Sequence, residues 1–402
     1  MTATLNYTPA CVVGIPAPSS NAVKLLENQT DAFICSALSG EVKQWPDAGP
    51  ALQQLIERAD FHGVAGWLAS ALEGVSCVPK EIEVALKDRL LNQLFWEDRH
   101  RFFIGPAIEA LSKAEINSVI IKGTASAYSI YSDAAHRTRG DTDILIAPRD
   151  RVRAEGILLD LGFTRSVTFA RSRGSSQIGY SRAEGTGWSH DIDLHWQISN
   201  SAFLSQLFSV EDIFSRSIPL MALCDTARAP SHVDSLLITC FHRLVHLRAP
   251  YIVNGTRHFS SDRLIWLKDI DLLSRELTQS DWAAFVTRAR EKGLARICLS
   301  GFSAASEAFG FKVPQDVLQK LTEPDESSLV ETYLYGKSST RFRLNIRAQS
   351  GAWGKIAFIG EHLFPPKTYM RTQFGDGPLA MLYLQRGIRG VGKLFSGGLG
   401  KL

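Results

Sequence analysis

The sequence lacks the features that mark secreted, membrane-spanning and zinc-binding proteins. Its six cysteines are scattered, without a CxxC pair or a spacing typical of zinc ligands. No run of about 18 apolar residues occurs, so no transmembrane segment is predicted. The first 20 residues carry no basic residue before their short apolar stretch, unlike a secretory signal. These absences favour a cytoplasmic protein with reduced, buried thiols.

Neither sign of charge dominates the chain, so the charge does not require a nucleic-acid partner. The net charge is +3, with 45% hydrophobic and 21% charged residues, which is typical of soluble globular proteins. Residues 337–402 contain eleven Lys or Arg against two acidic residues, a net charge of +9. This basic C-terminal segment predicts an anionic partner, either a substrate or a membrane surface. A tail that only improves solubility is the alternative.

A chain of 402 residues is long enough for two or three packed units. Apolar residues recur at helical spacing over 21–116 and again beyond Asp212, whereas the runs SVIIKG, DTDILIA and HDIDLHW are typical of strands. The pattern predicts an α+β fold, with a small mixed β-sheet flanked by N-terminal and C-terminal helical domains. The predicted units are a flexible N-terminus (1–20), a domain of four or five helices (21–116), a mixed α/β core (117–200), a second helical domain (201–336) and the basic C-terminal segment (337–402).

Asp141 and Asp143, in the run DTDILI, are the first candidate metal ligands. Residues two apart in a strand share a face, so the two carboxylates project together while Thr142 and Ile144 face the core. Adjacent carboxylates repel each other unless a cation lies between them, and Mg²⁺ prefers such oxygen ligands. A DxD pair alone is weak evidence, because solvated strand ends also contain it.

The run HDIDLHW repeats this arrangement fifty residues later. Asp191, Asp193 and His195 would share one face, while Ile192 and Leu194 form the buried one. A third carboxylate from Asp193, on a neighbouring strand, would complete a two-metal site. Such a site activates an attacking oxygen and neutralises the leaving phosphate.

The runs IKGT and HRTRGD are candidates for phosphate binding. Glycine at the end of a strand lets a phosphate approach the backbone, and the next amides point at it. Arginines before the acidic pair can clamp phosphate oxygens in bidentate fashion. The alternative is that these arginines are surface cations that balance the aspartates. The residues predicted to bind nucleotide are Lys122, Gly123, Thr124, Arg137, Arg139 and Gly140.

The run IKGTASAYSIYSDAAHRTRGDTDILI, followed by HDIDLHW, resembles the nucleotidyltransferase superfamily with a palm of the DNA polymerase β type. It is more closely similar to a bacterial nucleotidyltransferase family with a Lys-Gly strand end, an Arg-x-x-Gly-Asp-x-Asp strand and an Asp-x-His-Trp strand. The resemblance implies that Asp141, Asp143 and Asp193 bind metal and that Gly123 stands in the nucleotide-binding turn. This turn reads Gly-Thr where Gly-Ser is usual, and Thr124 keeps the hydroxyl.

Other signals are weaker. His242 and His246 have a helical spacing at which two imidazoles can share a metal, but the glutamate of an HExxH motif is absent. We predict only that His195, His242 and Asp269 line the nucleotide cleft. The alternative for the pair His242 and His246 is that both are partly buried helix residues. GIRGVGK has the spacing of a phosphate-binding loop, but Leu394 follows it, so we interpret it as a flexible basic tail.

The pattern and the resemblance together predict a nucleotidyltransferase that depends on Mg²⁺ or Mn²⁺ and uses a nucleoside triphosphate such as ATP as donor. The acceptor is a hydroxyl, phosphate or amine, and we expect a small molecule or a glycan-related substrate. The alternative is a nucleotide-binding regulatory or interaction protein with this fold and little catalysis. The chain retains all three aspartates, which favours the enzyme.

Overall fold

The computed structural model describes residues 29–166, 176–185, 187–253, 255–323, 328–365 and 367–395. The predicted flexible N-terminus lies outside these residues, as does most of the predicted extended run FTRSVTFAR. None of the helices in the described part of the chain is long and apolar enough to cross a membrane.

Helices precede the sheet, as the spacing of the apolar residues indicates. The described helices are α1 (Gln29–Leu38), α2 (Leu52–His62), α3 (Ala65–Ala71) and α4 (Lys80–Lys113). Gly63 ends α2 with a φ of 71°, a left-handed conformation that glycine adopts readily. In the second half of α4, one face that includes Phe103, Ile108 and Leu111 is buried in the core beneath the sheet.

The described strands of the central sheet lie in the order β1-β2-β5-β4-β3. They are β1 (Ser118–Ile121), β2 (Asp141–Ile146), β3 (Thr164–Arg165), β4 (Gln177–Ala183) and β5 (Ser189–His195). β2 and β5 are parallel, and the other neighbouring pairs are antiparallel. Helix α5 (Lys122–Ser129) follows β1 directly, and α6 (Arg151–Asp160) follows β2 after a short 3-10 turn. The mixed sheet therefore brings β1, β2 and the start of α5 together.

Helices dominate the chain after the sheet. They are α7 (Val210–Ser215), α8 (His232–Arg248), α9 (Leu264–Arg275), α10 (Gln279–Glu291), α11 (Ala295–Phe309), α12 (Gln315–Thr322), α13 (Leu329–Tyr335), α14 (Ser338–Arg347), α15 (Gly351–Leu363), α16 (Lys367–Phe374) and α17 (Leu379–Phe395). Two short hairpins interrupt them, formed by β6 (Ile218–Pro219) with β7 (Arg228–Ala229) and β8 (Tyr251–Val253) with β9 (Thr256–His258).

The hydrophobic core joins helices that precede the sheet in the sequence with helices that follow it. Leu55 and Leu68 of the N-terminal helices share one cluster with Leu236 of α8 and Phe285 of α10. A second cluster lies where α4 and α6 pack beneath the sheet, and it includes Ile144. The N-terminal and C-terminal helices therefore pack together as well as against the sheet.

The predicted fold class is confirmed, since a small mixed sheet is flanked by helices on both sides in the chain. The predicted domain boundaries stay predictions, because the larger core extends from residue 34 to residue 344 across them. The interpretation of GIRGVGK as a flexible tail is wrong, because α17 continues through it. Glycine disfavours a helix by only about 1 kcal/mol per residue, and the burial of Leu382 and the hydrogen bond of Tyr383 to the Pro365 carbonyl help to hold α17.

Ile144 lies on β2, an inner strand of the sheet, with its side chain fully buried. We expect Ile144→Ala to lower the free energy of unfolding by about 2–5 kcal/mol, because it removes buried surface and leaves a cavity. Val152→Ala, at a position that is 78% exposed, is the matched control and should change this free energy by less than about 0.5 kcal/mol. Urea unfolding measures both. Equal effects would contradict the position of Ile144 in the core.

Candidate active site

The parallel pairing of β2 and β5 brings the predicted acidic residues together. Their register sets Asp141 opposite Asp191 and Asp143 opposite Asp193. Side chains alternate between the faces of a strand, so these four carboxylates share one face while the intervening residues enter the core. Asp143 is buried, and Asp141 and Asp193 are partly buried.

The tightest group of potential ligand atoms comes from Asp143, Asp193 and His195, which each offer one atom within 4.8 Å of the others. His195 Nε2 lies 2.7 Å from Asp143 Oδ1. Gln177 Nε2 donates a hydrogen bond of 2.7 Å to Asp193 Oδ2. Asp141 is not a member of this group, although it precedes Asp143 on the same face of β2.

Lys122 supplies the nearest positive charge. Its Nζ donates to Asp143 Oδ1 at 2.6 Å and lies 3.5 Å from His195 Nε2. The residue has a φ of 56°, which is uncommon for a side chain other than glycine. This conformation occurs at the junction of β1 and α5, where the chain turns from strand to helix. Neighbouring structure must stabilise it, as is common at functional sites.

The site holds more negative charge than its cations neutralise. Burial, together with the charges of Asp143 and Asp193, raises the pKa of Asp141 to about 8. Burial and the charge of Asp143 also raise the pKa of Asp193. The pKa of Asp143 is lowered, because Lys122 and His195 outweigh the opposing effect of burial. Asp143 is thus the neutralised carboxylate, and its neighbours are the ones that gain most from a further cation.

A chain of hydrogen bonds beneath the sheet positions the turn after β1. Thr124 Oγ1 lies 2.9 Å from Thr142 Oγ1, which lies 2.7 Å from His100 Nε2 on α4. Arg139 Nε donates to Thr124 Oγ1 at 2.9 Å, and its Nη2 pairs with Glu97 at 2.5 Å. The Arg139 side chain is only 3% exposed. It therefore orients the turn, and its contact with a phosphate stays a prediction.

Arg137 forms a buried, bidentate ion pair with Asp269 of α9. The guanidinium donates to the two carboxylate oxygens at 2.9 and 2.8 Å, and Tyr131 Oη adds a hydrogen bond of 2.9 Å. The same guanidinium packs over Gly123. A phosphate would have to compete with Asp269 for Arg137, so nucleotide binding by Arg137 stays a prediction. Gly140, unlike the buried Arg137, is exposed and directly precedes Asp141.

The histidines of α8 approach the site from the C-terminal helices. His242 Nε2 and His246 Nε2 lie 2.9 Å apart, and the ring of His246 stacks on Trp266. Burial and the charges of His246 and Lys122 hold the pKa of His242 well below its usual value. Since α5 also packs against α8, neutral imidazoles face the part of the site that contains Lys122. Their contact with a nucleotide stays a prediction.

Four residues at the site were not predicted from the sequence: Glu97, His100, Gln177 and Gly179. Gly179 lies opposite Asp193 in the β4–β5 register. A Cβ at Gly179 would lie 3.2 Å from Asp193 Oδ1, which is tighter than ordinary contact. Glycine therefore leaves room for this carboxylate. Only the register of β4 reveals Gln177 and Gly179, whereas Glu97 and His100 belong to a distant helix.

The residues of the site fit a divalent cation. Carboxylate oxygens and one imidazole nitrogen converge within 4.8 Å, and such donors suit Mg²⁺ or Mn²⁺, with imidazole better suited to the transition metal. His195 Nδ1 and Asp191 Oδ1 are buried without a hydrogen-bond partner among the described residues. The raised pKa of Asp141 and Asp193 also indicates negative charge that a cation would neutralise.

Comparison with protein families links the site to one family model. The model, described as uncharacterised nucleotidyltransferase, matches residues 50–310, which is more than half of the chain and includes every residue of the site. A search of curated proteins found no match.

Substitutions at the Arg137–Asp269 pair test whether this ion pair stabilises the fold. Arg137→Ala should lower the free energy of unfolding by about 3–5 kcal/mol, because it leaves the buried Asp269 carboxylate without its cation. Arg137→Met combined with Asp269→Leu should restore most of this stability. Urea unfolding followed by circular dichroism measures both effects. Unchanged stability in Arg137→Ala would show that the ion pair does not hold the fold together.

Proposed function

Because the chain belongs to the uncharacterised nucleotidyltransferase family, we propose that it is a metal-dependent enzyme that transfers a nucleoside monophosphate from a triphosphate to an acceptor. The accepting group is a hydroxyl, phosphate or amine, and the acceptor is a small molecule or a glycan-related substrate. Mg²⁺ or Mn²⁺ is the cofactor, and the residues that carry the reaction are Asp141, Asp143, Asp193 and Lys122.

The observation that supports this proposal best is the convergence of the three aspartates across the parallel β2–β5 pair. A structural role does not explain it, because like charges placed together destabilise the fold. A triphosphate brings about four further negative charges at neutral pH, so it requires cations at such a site. Asp143 and Asp193 with His195 would hold one ion, and Asp141 would extend the ligand set towards a second. Divalent metal supplies charge neutralisation at the phosphates and acidifies an attacking hydroxyl.

Asp193 is the base in this proposal. It shares the acidic face of the sheet with Asp143 across the β2–β5 pair, so it would face a hydroxyl bound there. Gln177 donates a hydrogen bond to Oδ2, and we assign Oδ1 the role of accepting the proton of the acceptor hydroxyl. Gly179 gives this oxygen its space.

The turn after β1 stabilises the departing pyrophosphate. The backbone amides of Gly123 and Thr124 lie in the first turn of α5, where the N–H groups and the helix dipole favour an anion. Lys122 contributes a mobile ammonium group, while Arg139 holds Thr124 in place.

Asp141→Asn and Asp143→Asn should each reduce transfer at least about a hundredfold, because they remove groups that act on the reacting phosphates. Their effects on stability should be opposite. Burial and the neighbouring carboxylates raise the pKa of Asp141 to about 8, so folding at pH 7 must protonate this carboxyl. Asparagine removes that cost, so the melting temperature should stay the same or rise. Asp143→Asn breaks the contacts with Lys122 and His195, so the melting temperature should fall.

The assay combines labelled nucleoside triphosphates, Mg²⁺ or Mn²⁺ and a cell extract as the source of acceptor. Thermal shift with the four nucleotides, with and without EDTA, reports binding independently of the acceptor. Metal-dependent nucleotide binding without transfer in any extract would favour the regulatory alternative. Undiminished transfer by both variants would refute the proposed mechanism.

Gly123→Ala tests the approach of a phosphate to the backbone. An added Cβ would lie 3.5 Å from the Arg137 guanidinium, an ordinary contact, so we expect the melting temperature to change little. Transfer should nevertheless fall by about tenfold or more, because the methyl group displaces the phosphate from the amides. Gly156→Ala, where an added Cβ meets open space, is the matched control. Equal activity in both variants would exclude Gly123 from the nucleotide site.

A further inference from the structure

Two C-terminal helices expose apolar side chains that their neighbours do not cover. On α15 these are Trp353, Ile356 and Leu363, and on α17 they are Met381, Leu384 and Ile388. All six side chains are between 57% and 81% exposed. We refer to them as the C-terminal apolar face. A soluble protein rarely leaves such a concentration of large apolar groups without a partner.

The six residues form one stripe on each helix. On α15 they occupy positions i, i+3 and i+10, and on α17 positions i, i+3 and i+7, which keep to one side of an α-helix. No residue of α15 is buried, although all 13 of its residues are described. The helix therefore has no core of its own to explain its apolar character.

Contacts on the other sides of these helices hold the stripes outward. The rings of Phe358 and His362 on α15 pack against Phe342 of α14. On α17, Leu382 is buried, and Tyr383 Oη donates a hydrogen bond of 2.6 Å to the carbonyl of Pro365. Within the part of the chain that the structure describes, the apolar stripes are thus the uncovered sides of docked helices.

The charge of the same segment identifies the partner. Residues 337–402 carry a net charge of +9, whereas the whole chain carries +3. Two copies of so basic a segment repel each other, which disfavours a second chain as the occupant. Helices with exposed apolar stripes, a tryptophan and many Lys or Arg bind at the surface of anionic bilayers. A surface helix also agrees with the absence of a membrane-spanning helix in the described residues.

We propose that the C-terminal apolar face is a membrane-surface binding site, in which α15 and α17 lie in the headgroup region of an anionic bilayer. The family match ends at residue 310, so this segment is an addition to the matched part of the chain. The proposal does not depend on nucleotidyl transfer.

A tether connects this segment to the catalytic sheet. Asn345 of α14 accepts hydrogen bonds from Ser201 Oγ at 2.9 Å and from the amide of Phe203 at 3.0 Å. Its side-chain amide donates to Tyr333 Oη at 3.0 Å. Both contacted residues follow β5, the strand that carries Asp193 and His195. A chain bound through α15 and α17 would therefore hold this sheet close to the lipid surface.

The test is flotation of the full-length protein with vesicles. One set contains phosphatidylcholine alone, and the other contains about one third phosphatidylglycerol. The test variant is Trp353→Glu/Ile356→Glu. The matched control is Val152→Glu/Met221→Glu, which makes the same charge change at two other exposed apolar residues.

We expect wild type and the control variant to bind anionic vesicles at least about tenfold more strongly than neutral ones, and binding should weaken at high salt. The test variant should lose about tenfold or more of this binding with an unchanged melting temperature. Absence of wild-type binding, or equal loss in both variants, would overturn the proposal. So would a wild-type dimer in light scattering that the test variant converts to a monomer, because a second copy would then cover the face.

Discussion

The repulsion among carboxylates on one face of two parallel strands is the constraint on which the site depends. The register places Asp143 beside Asp193 and Asp141 beside Asp191, so none of these charges can move apart along the strands. Lys122 and His195 neutralise Asp143, and Gln177 donates to Asp193. Burial and the charges of Asp143 and Asp193 raise the pKa of Asp141 to about 8. The fold thus carries an electrostatic cost that a bound cation would relieve.

Apolar burial on the opposite face of the same strands offsets this electrostatic cost. Ile144, Ile192 and Leu194 are fully buried in the core beneath the sheet. Thr142 connects the same strand to α4 through His100 and to α5 through Thr124. The buried Arg137–Asp269 pair then fixes the segment before β2 to α9. Three parts of the chain therefore position the site together, and rigid support of this kind is what preorganised electrostatics require.

The fold class and the shared face of the acidic residues could be predicted from the sequence, because both depend on local patterns. Alternation in DTDILI and HDIDLHW determines which side chains share a face, whatever else the chain does. The missed features depend on distance and register. Glu97, on a separate helix, forms an ion pair with Arg139. Gly179 lies next to Asp193 only because β4 pairs with β5. Arginines near an acidic pair look alike in sequence, and only packing shows that Asp269 binds Arg137.

Lys122 connects the excess negative charge of the site with the proposed reaction. Its ammonium now lies on Asp143, where the charge of that carboxylate outweighs burial and raises the pKa of Lys122. A divalent ion at Asp143 would compete for the same oxygen and carries twice the charge, so the lysine is the weaker partner. A lysine has a flexible stem, and its ammonium can move without disturbing the backbone. We therefore expect Lys122 to leave Asp143 when donor and metal bind, and to turn towards the phosphates. Its position at the start of α5, beside the amides of Gly123 and Thr124, would keep the released charge where the proposed reaction forms pyrophosphate.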